Sequence, residues 1–159
     1  YRFQRSNAEV FGMVIKFLDP RDDESWGLIP QVVARARQFI RENGLDTNSG
    51  VFVDVLRQQF VQEASSLKII VAVKDGKVEG HLIAGIEPYW GDRHLIVYQY
   101  SLDEAIPRDM LKGKLDELFS WAKQWGAKQA RVMALREETA RVIAGYGFQR
   151  HGFCLKTNL

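Results

Sequence analysis

Two apolar runs meet at Asp75-Gly76, in the stretch LKIIVAVKDGKVEGHLIAGI (67–86). An Asp-Gly pair between such runs is a strong hairpin signal, because the favoured two-residue turn needs positive φ at both central positions. HLIVYQYSL (94–102), rich in β-branched and aromatic residues, supplies a third strand. An antiparallel nucleus is therefore set in the middle of the chain. Upstream, VFGMVIKFL (10–18) reads as a short strand bounded by Asp19-Pro20. Leu28, Ile29, Val32, Val33, Ala36, Phe39 and Ile40 then recur at helical spacing, with Asn43-Gly44 as a stop. Pro30 is compatible with that helix only in its first turn. A second helix is expected after TNSG (47–50), with Val51, Phe52, Val55, Leu56 and Phe60 on one side.

Downstream, Leu111, Leu115, Leu118, Phe119, Ala122 and Trp125 mark one face of a helix ending near Gly126. QARVMAL (129–135) reads as a strand, EETARVIAG (137–145) as a short helix, and FQRHGFCLKT (148–157) as a last strand or hairpin. The order is β-α-α-β-β-β-α-β-α-β. A strand, a helix and another strand (94–102, 109–126, 129–135) imply one parallel crossover in an otherwise antiparallel sheet. The expected class is mixed α+β, with helices on both faces of the sheet.

The 159 residues carry no repeat, low-complexity tract or long linker, so a single domain over 1–159 is expected. No apolar run approaches the ~20 residues of a membrane span. No signal-peptide pattern is present, and Tyr1 in place of Met leaves the true N-terminus open. Cys154 stands alone, which excludes an intrachain disulfide or a cysteine-based metal site and suits a reducing, cytoplasm-like compartment. A net charge of +2 argues against nucleic-acid or anionic-membrane partners. The surplus lies downstream: residues 67–159 hold 14 Lys/Arg against 11 Asp/Glu, whereas residues 1–66 hold 8 against 9.

The segment SLDEAIPRDMLKGKLDELF (101–119) joins a strand to a helix, a place where unpartnered N–H groups often receive phosphate. Together with the hairpin, SWAKQWGAKQARV (120–132) and REETARVIAGYGF (136–148), ending in the step Gly147-Phe148, this segment resembles the GNAT family of N-acetyltransferases. The likeness covers most of the chain, is strongest over 68–148, and has the flavour of GNAT-like proteins from bacteriophage genomes. It implies the GNAT acyl-CoA N-acyltransferase fold, with acetyl-CoA or another acyl-CoA held where two parallel strands splay apart. The family's pyrophosphate loop, Arg/Gln-x-x-Gly-x-Gly/Ala, falls on IPRDML (106–111) without a gap, or on RDMLKG (108–113) after a shift of two. Neither register keeps the full pattern. Backbone donors survive such changes, and Arg108, Lys112 and Lys114 can add charge. Against binding, Pro107 has no N–H, Asp109 is negative, and side chains crowd the former glycine positions. The resemblance thus maps cofactor contacts onto Arg108, Asp109, Met110, Leu111, Lys112 and Gly113. An ordinary helix start at Pro107 and Asp109 reads equally well.

The family's base position, on the strand before that loop, falls near His94 or Leu95, and the imidazole of His94 has an intrinsic pKa in the right range; a surface histidine at a strand start is the other reading. Glu87, Asp92 and His81 are substitutes. The carbonyl donor maps to Tyr98, Gln99 or Tyr100, and by strand parity His94, Tyr98 and Tyr100 would line one side of a cleft, unless both tyrosines simply pack. The position of the usual acid, a tyrosine, holds Ile143, with Tyr146 nearby as acid or core aromatic. Arg136 stands where an asparagine is common, and can pair with phosphate or remain solvated. No metal site is expected. Two functions follow: an N-acetyltransferase acting on a small-molecule or protein amine, or a catalytically degenerate GNAT-fold interaction protein, conceived as a phage virion component. In the second, Trp26, Tyr89 and Trp90 would mark a protein-partner surface. Pairing into a homodimer is a further expectation of the resemblance.

Overall fold

A computed structural model describes residues 12–42, 54, 56, 58–60, 66–101 and 106–152. In chain order the elements are β1 (Met13–Phe17), α1 (Asp23–Glu42), β2 (Leu67–Lys74), β3 (Lys77–Tyr89), β4 (Asp92–Ser101), α2 (Arg108–Gln124), β5 (Ala127–Val132) and α3 (Glu137–Ala144). Residues 54, 56 and 58–60 are helical, and Leu56 and Phe60 are buried, as their spacing predicts. Val51, Phe52 and Val55 lie outside the described residues.

Among these residues the strands form one sheet in the order β1-β2-β3-β4-β5. The first four run antiparallel, and β5 joins β4 in parallel. The Asp75-Gly76 hairpin is present, with φ of 51° and 73°, the two positive values its turn type requires. A second tight hairpin joins β3 to β4 through Trp90-Gly91, with φ of 49° and 85°. Trp90 is there despite its bulk, in a conformation that usually selects glycine or asparagine.

Apolar side chains fill both faces of the sheet. On one, Leu28, Ile29, Val32 and Val33 of α1 pack on Ile69, Val71 and Ile83. On the other, Leu111, Leu115, Leu118 and Ala122 of α2 pack on Ile15, Ile70, Leu82, Leu95 and Val97. The period-3.6 spacing seen in the sequence thus fixes which helical side chains each core receives.

Two expectations are corrected. Helix α1 starts at Asp23, because Asp22 Oδ1 accepts the Glu24 N–H (3.2 Å) and Asp23 and Glu24 sit at the positive helix end. Pro30 is therefore the eighth helical residue, beyond the first turn and on the exposed side, where it offers no N–H to the carbonyl of Trp26. Downstream, residues 148–152 are not in a strand. Phe148 leaves the helix end to pack edge-on against Phe119, ring centroids 5.9 Å apart, which turns the chain toward α2. Residues 153–159, including Cys154, lie outside the described residues.

Candidate active site

Strands β4 and β5 stay paired only from Arg93↔Ala127 to Val97↔Val132. Beyond that point β4 continues to Ser101 without β5, and the two strands splay. A cavity of about 690 Å³ lies in the splay, under α2 and α3. Val97, Leu111, Leu115, Phe119 and Val132 give it apolar walls. Its polar lining comes from Tyr100, Arg108, Glu138, Thr139, Arg141 and Tyr146.

The start of α2 borders this cavity. Pro107 occupies the N-cap position and no side chain caps the helix. The first intrahelical bond is Leu111 N–H to Pro107 O (3.2 Å). The N–H groups of Arg108, Asp109 and Met110 have no partner among the described residues. Such a turn is an anion site by geometry and dipole. It coincides with the ungapped register 106–111. Gly113 falls in the second turn, where a Cβ would meet nothing within 4 Å, so no close approach demands a glycine there.

The charged residues of the segment part company. Arg108 donates from Nη2 to Gly145 O (2.9 Å) and lies over the Tyr146 ring, 5.5 Å from its centroid, tying the start of α2 to the end of α3. Lys114, expected to add charge, is buried instead: Nζ meets Glu117 Oε2 (3.0 Å) and sits over Phe17, because position 114 falls on the sheet-facing side of α2. Asp109, Lys112 and Arg136 are exposed, and Met110 packs against the α2 core. Neither Lys112, Gly113 nor Arg136 lines the cavity.

Strand β4 carries a bulge at Tyr98. Ile83 pairs with Gln99 and Ala84 with Val97, so Tyr98 has no ladder partner. The extra residue breaks the parity expected of His94, Tyr98 and Tyr100. Tyr100 lines the cavity on the α2 side, its hydroxyl donating to Met133 O (3.0 Å) across the splay. Tyr98 lies on the α1 side, over Gly85, and its hydroxyl donates to Glu87 Oε1 (2.6 Å). Burial pushes both phenols above their ordinary pKa, and the Glu87 hydrogen bond and charge push Tyr98 further. Gln99 is also on the α1 side, bonded to Ala36 O (2.9 Å).

His94 is 5% exposed rather than a surface residue. Arg131 Nε donates to its Nδ1 (2.9 Å), and Tyr89 stacks on the ring at 4.6 Å. With Nδ1 accepting, the neutral ring carries its proton on Nε2 and has no free lone pair. The cavity therefore gathers Tyr100, Arg108, Leu111 and Tyr146, while His94, Tyr98 and Gln99 stand on the opposite face. Sequence reading passed over Gly85, whose missing side chain makes room for Tyr98, and Arg131, one step along β5 from the cavity residue Val132. No local pattern marks either, because each acts on a neighbouring strand. Of the three aromatics expected at a partner surface, Trp26 packs edge-on against Phe60 (5.2 Å) and donates to Pro20 O (2.8 Å), Tyr89 stacks on His94, and Trp90 is 94% exposed. No helix among the described residues is long and apolar enough to cross a membrane, and none of their side chains form a metal-binding group.

No protein-family model matches the chain, and no curated protein matches it in sequence. Solved structures do match. A predicted acetyltransferase with acetyl-CoA from Clostridium acetobutylicum superposes with a TM-score of 0.68 at 15% identity, covering 92% of this chain and 96% of that one. The aminoglycoside N-acetyltransferase AAC(6')-Iy in complex with CoA gives 0.67 at 14% identity, covering 92% and 94%. The aminoglycoside 6'-N-acetyltransferase AAC(6')-Ih from Acinetobacter baumannii gives 0.59 at 16%, covering 93% and 99%. At such identities the likeness is one of fold.

Proposed function

We propose that this chain, whose fold is that of the GNAT acetyltransferases, transfers an acyl group from acyl-CoA to an amine. The observation that carries the reading is the β4–β5 splay, which opens an apolar-walled cavity beside the uncapped first turn of α2. Acyl-CoA fits the chemistry of that lining. Pyrophosphate suits the N–H groups of Arg108, Asp109 and Met110, which have no partner among the described residues, with Arg108 and Arg141 adding charge, and the less polar pantetheine arm suits Val97, Leu111 and Val132. The thioester supplies an electrophilic acyl carbon, and transfer to the amine nitrogen yields an amide and CoA thiol.

The chain's own residues divide the remaining work. At the bulge, β4 backbone released from the ladder offers a hydrogen bond to a carbonyl oxygen. Glu87, exposed on the α1 side and accepting a hydrogen bond from the Tyr98 hydroxyl, is the carboxylate suited to take a proton from the incoming ammonium. His94 lacks a lone pair for that task. Tyr146 lines the cavity beneath the Arg108 guanidinium, and its hydroxyl suits the role of proton donor to the thiolate leaving group. The Tyr100 hydroxyl is committed to Met133 O.

Calorimetric titration with acetyl-CoA, followed by thiol release over a panel of amines, tests the reading. Saturable binding that weakens at least about tenfold in Arg108→Glu is expected, with turnover on at least one amine. No heat and no rise in Tm at millimolar acetyl-CoA would overturn it. Binding without turnover on any amine would instead favour a GNAT-fold interaction protein, for which the exposed Trp90 at the β3–β4 turn is the favouring observation.

A further inference from the structure

Between α1 and the sheet lies a string of polar side chains that the cavity does not use. His81, 1% exposed, faces Gln99 with Nε2 at 3.3 Å from Oε1. Gln99, also buried, donates from Nε2 to Ala36 O in α1 (2.9 Å). That bond fixes the amide's orientation, so its oxygen faces His81 and His81 Nε2 must be the donor. Arg35 stands over the same region, donating to Ser101 Oγ (3.0 Å), and Ser101 is the cross-strand partner of His81. Arg35 Nε and His81 Nδ1 are both buried without a hydrogen-bond partner among the described residues.

This arrangement is poor as core packing. An unpartnered buried nitrogen costs free energy that a leucine at position 81 would not. What the histidine adds is a donor of fixed direction, aimed at the residue that follows the bulge. Two anchors thus flank the bulge on the α1 side. The Tyr98 hydroxyl reaches Glu87, and the Gln99 amide is held between α1 and His81. The neighbouring residues Val97 and Tyr100 line the cavity on the other side. We infer that His81 and Gln99 are positioning residues, which hold the β4 bulge in register where the strand leaves β5. Neither touches the cavity. They act through the backbone at Tyr98, and the inference rests on the acyltransfer reading for its catalytic consequence.

The test compares wild type, His81→Leu and His81→Gln. The glutamine variant can keep a donor near the place of Nε2. In His81→Leu, kcat falls about tenfold to a hundredfold, the scale of a misplaced reacting group, while acetyl-CoA Kd stays within about threefold. Exchange of the Gln99 and Tyr100 backbone amides, whose residues pair with Ile83 and Leu82 of β3 just past the bulge, rises at least about tenfold at whichever is ladder-bonded, read by NMR. His81→Gln restores both. Wild-type kcat and exchange in His81→Leu would overturn the inference, as would a folded His81→Gln that fails as badly as the leucine variant. Should His81→Leu not fold, Gln99→Met, of similar volume, carries the same comparison. If the wild type itself shows neither binding nor turnover, the acyltransfer reading falls alone, and exchange at the Gln99 and Tyr100 amides by itself decides whether His81 holds the bulge.

Discussion

At the scale of single residues, the site depends on side chains that are absent or uncharged as much as on charged ones. A Cβ on Gly85 would stand 2.8 Å from the Tyr98 ring and hydroxyl and 3.2 Å from Ser66 O. The Ser66 carbonyl is backbone and cannot swing away. Gly85→Ala should therefore displace Tyr98 from Glu87 and cost about 1–3 kcal/mol, visible as a lower midpoint in urea with an unchanged slope. His81 gives a pH signature. Burial, opposed by the Gln99 hydrogen bond and helped by the Arg35 charge, lowers its pKa from 6.5 to about 4. Between those values the unfolded chain binds a proton at this position and the folded chain does not. Stability is therefore full above pH 6.5, is lost as pH falls toward 4, and changes no further from this group below that. The loss is on the order of 3 kcal/mol. Urea denaturation from pH 7 to 4 should show this slope in wild type and a shallower one in His81→Gln.

At the scale of elements, one helix carries a residue that works against its own stability, and another a residue that serves stability at the expense of the proposed binding. Pro30 sits on the exposed side of α1 without an N–H for the Trp26 carbonyl. Pro30→Ala restores that bond, and a gain of about 1–3 kcal/mol is expected on chemical denaturation; no gain would mean that the helix is bent to suit the proline. In α2, Asp109 stabilises the positive helix end that the proposed pyrophosphate would also use. Asp109→Asn should lower stability by about 0.3–1 kcal/mol, yet tighten acetyl-CoA about two- to fivefold by calorimetry. Opposite signs on the two readouts are the result that only shared use of the helix end predicts. The pairing of β4 with β5 was legible from the strand-helix-strand order, and so was the hairpin at Asp75-Gly76. The hairpin at Trp90-Gly91 was not, because a tryptophan at positive φ contradicts the composition by which such turns are recognised.

At the scale of the molecule, the sheet is a partition between two cores, and stability should be distributed accordingly. Strands β2 and β3 are buried over most of their length on both faces, whereas β5 has no fully buried residue. Amide exchange should be slowest in β2 and β3 and faster in β5. Acetyl-CoA should slow β5 and the start of α2 most, since the cavity lies between them. Uniform slowing across the sheet would place the ligand elsewhere.

Local chemistry determined the elements of this protein: alternation and apolar runs named the strands, 3.6-residue spacing named the helices, and Asp75-Gly76 joined two strands by the only backbone that pair favours. These are properties of neighbouring residues, so the chain carries them wherever it is. The site was decided at a distance. One extra residue in β4 exists only relative to β3, and it sends Tyr98 and Tyr100 to opposite faces although their spacing says otherwise. Lys114 and His94 are buried, and that burial is set by the sheet and by Arg131 rather than by their neighbours in sequence. Arg108 stands at the start of α2 beside the cavity, held there by a carbonyl 37 residues away.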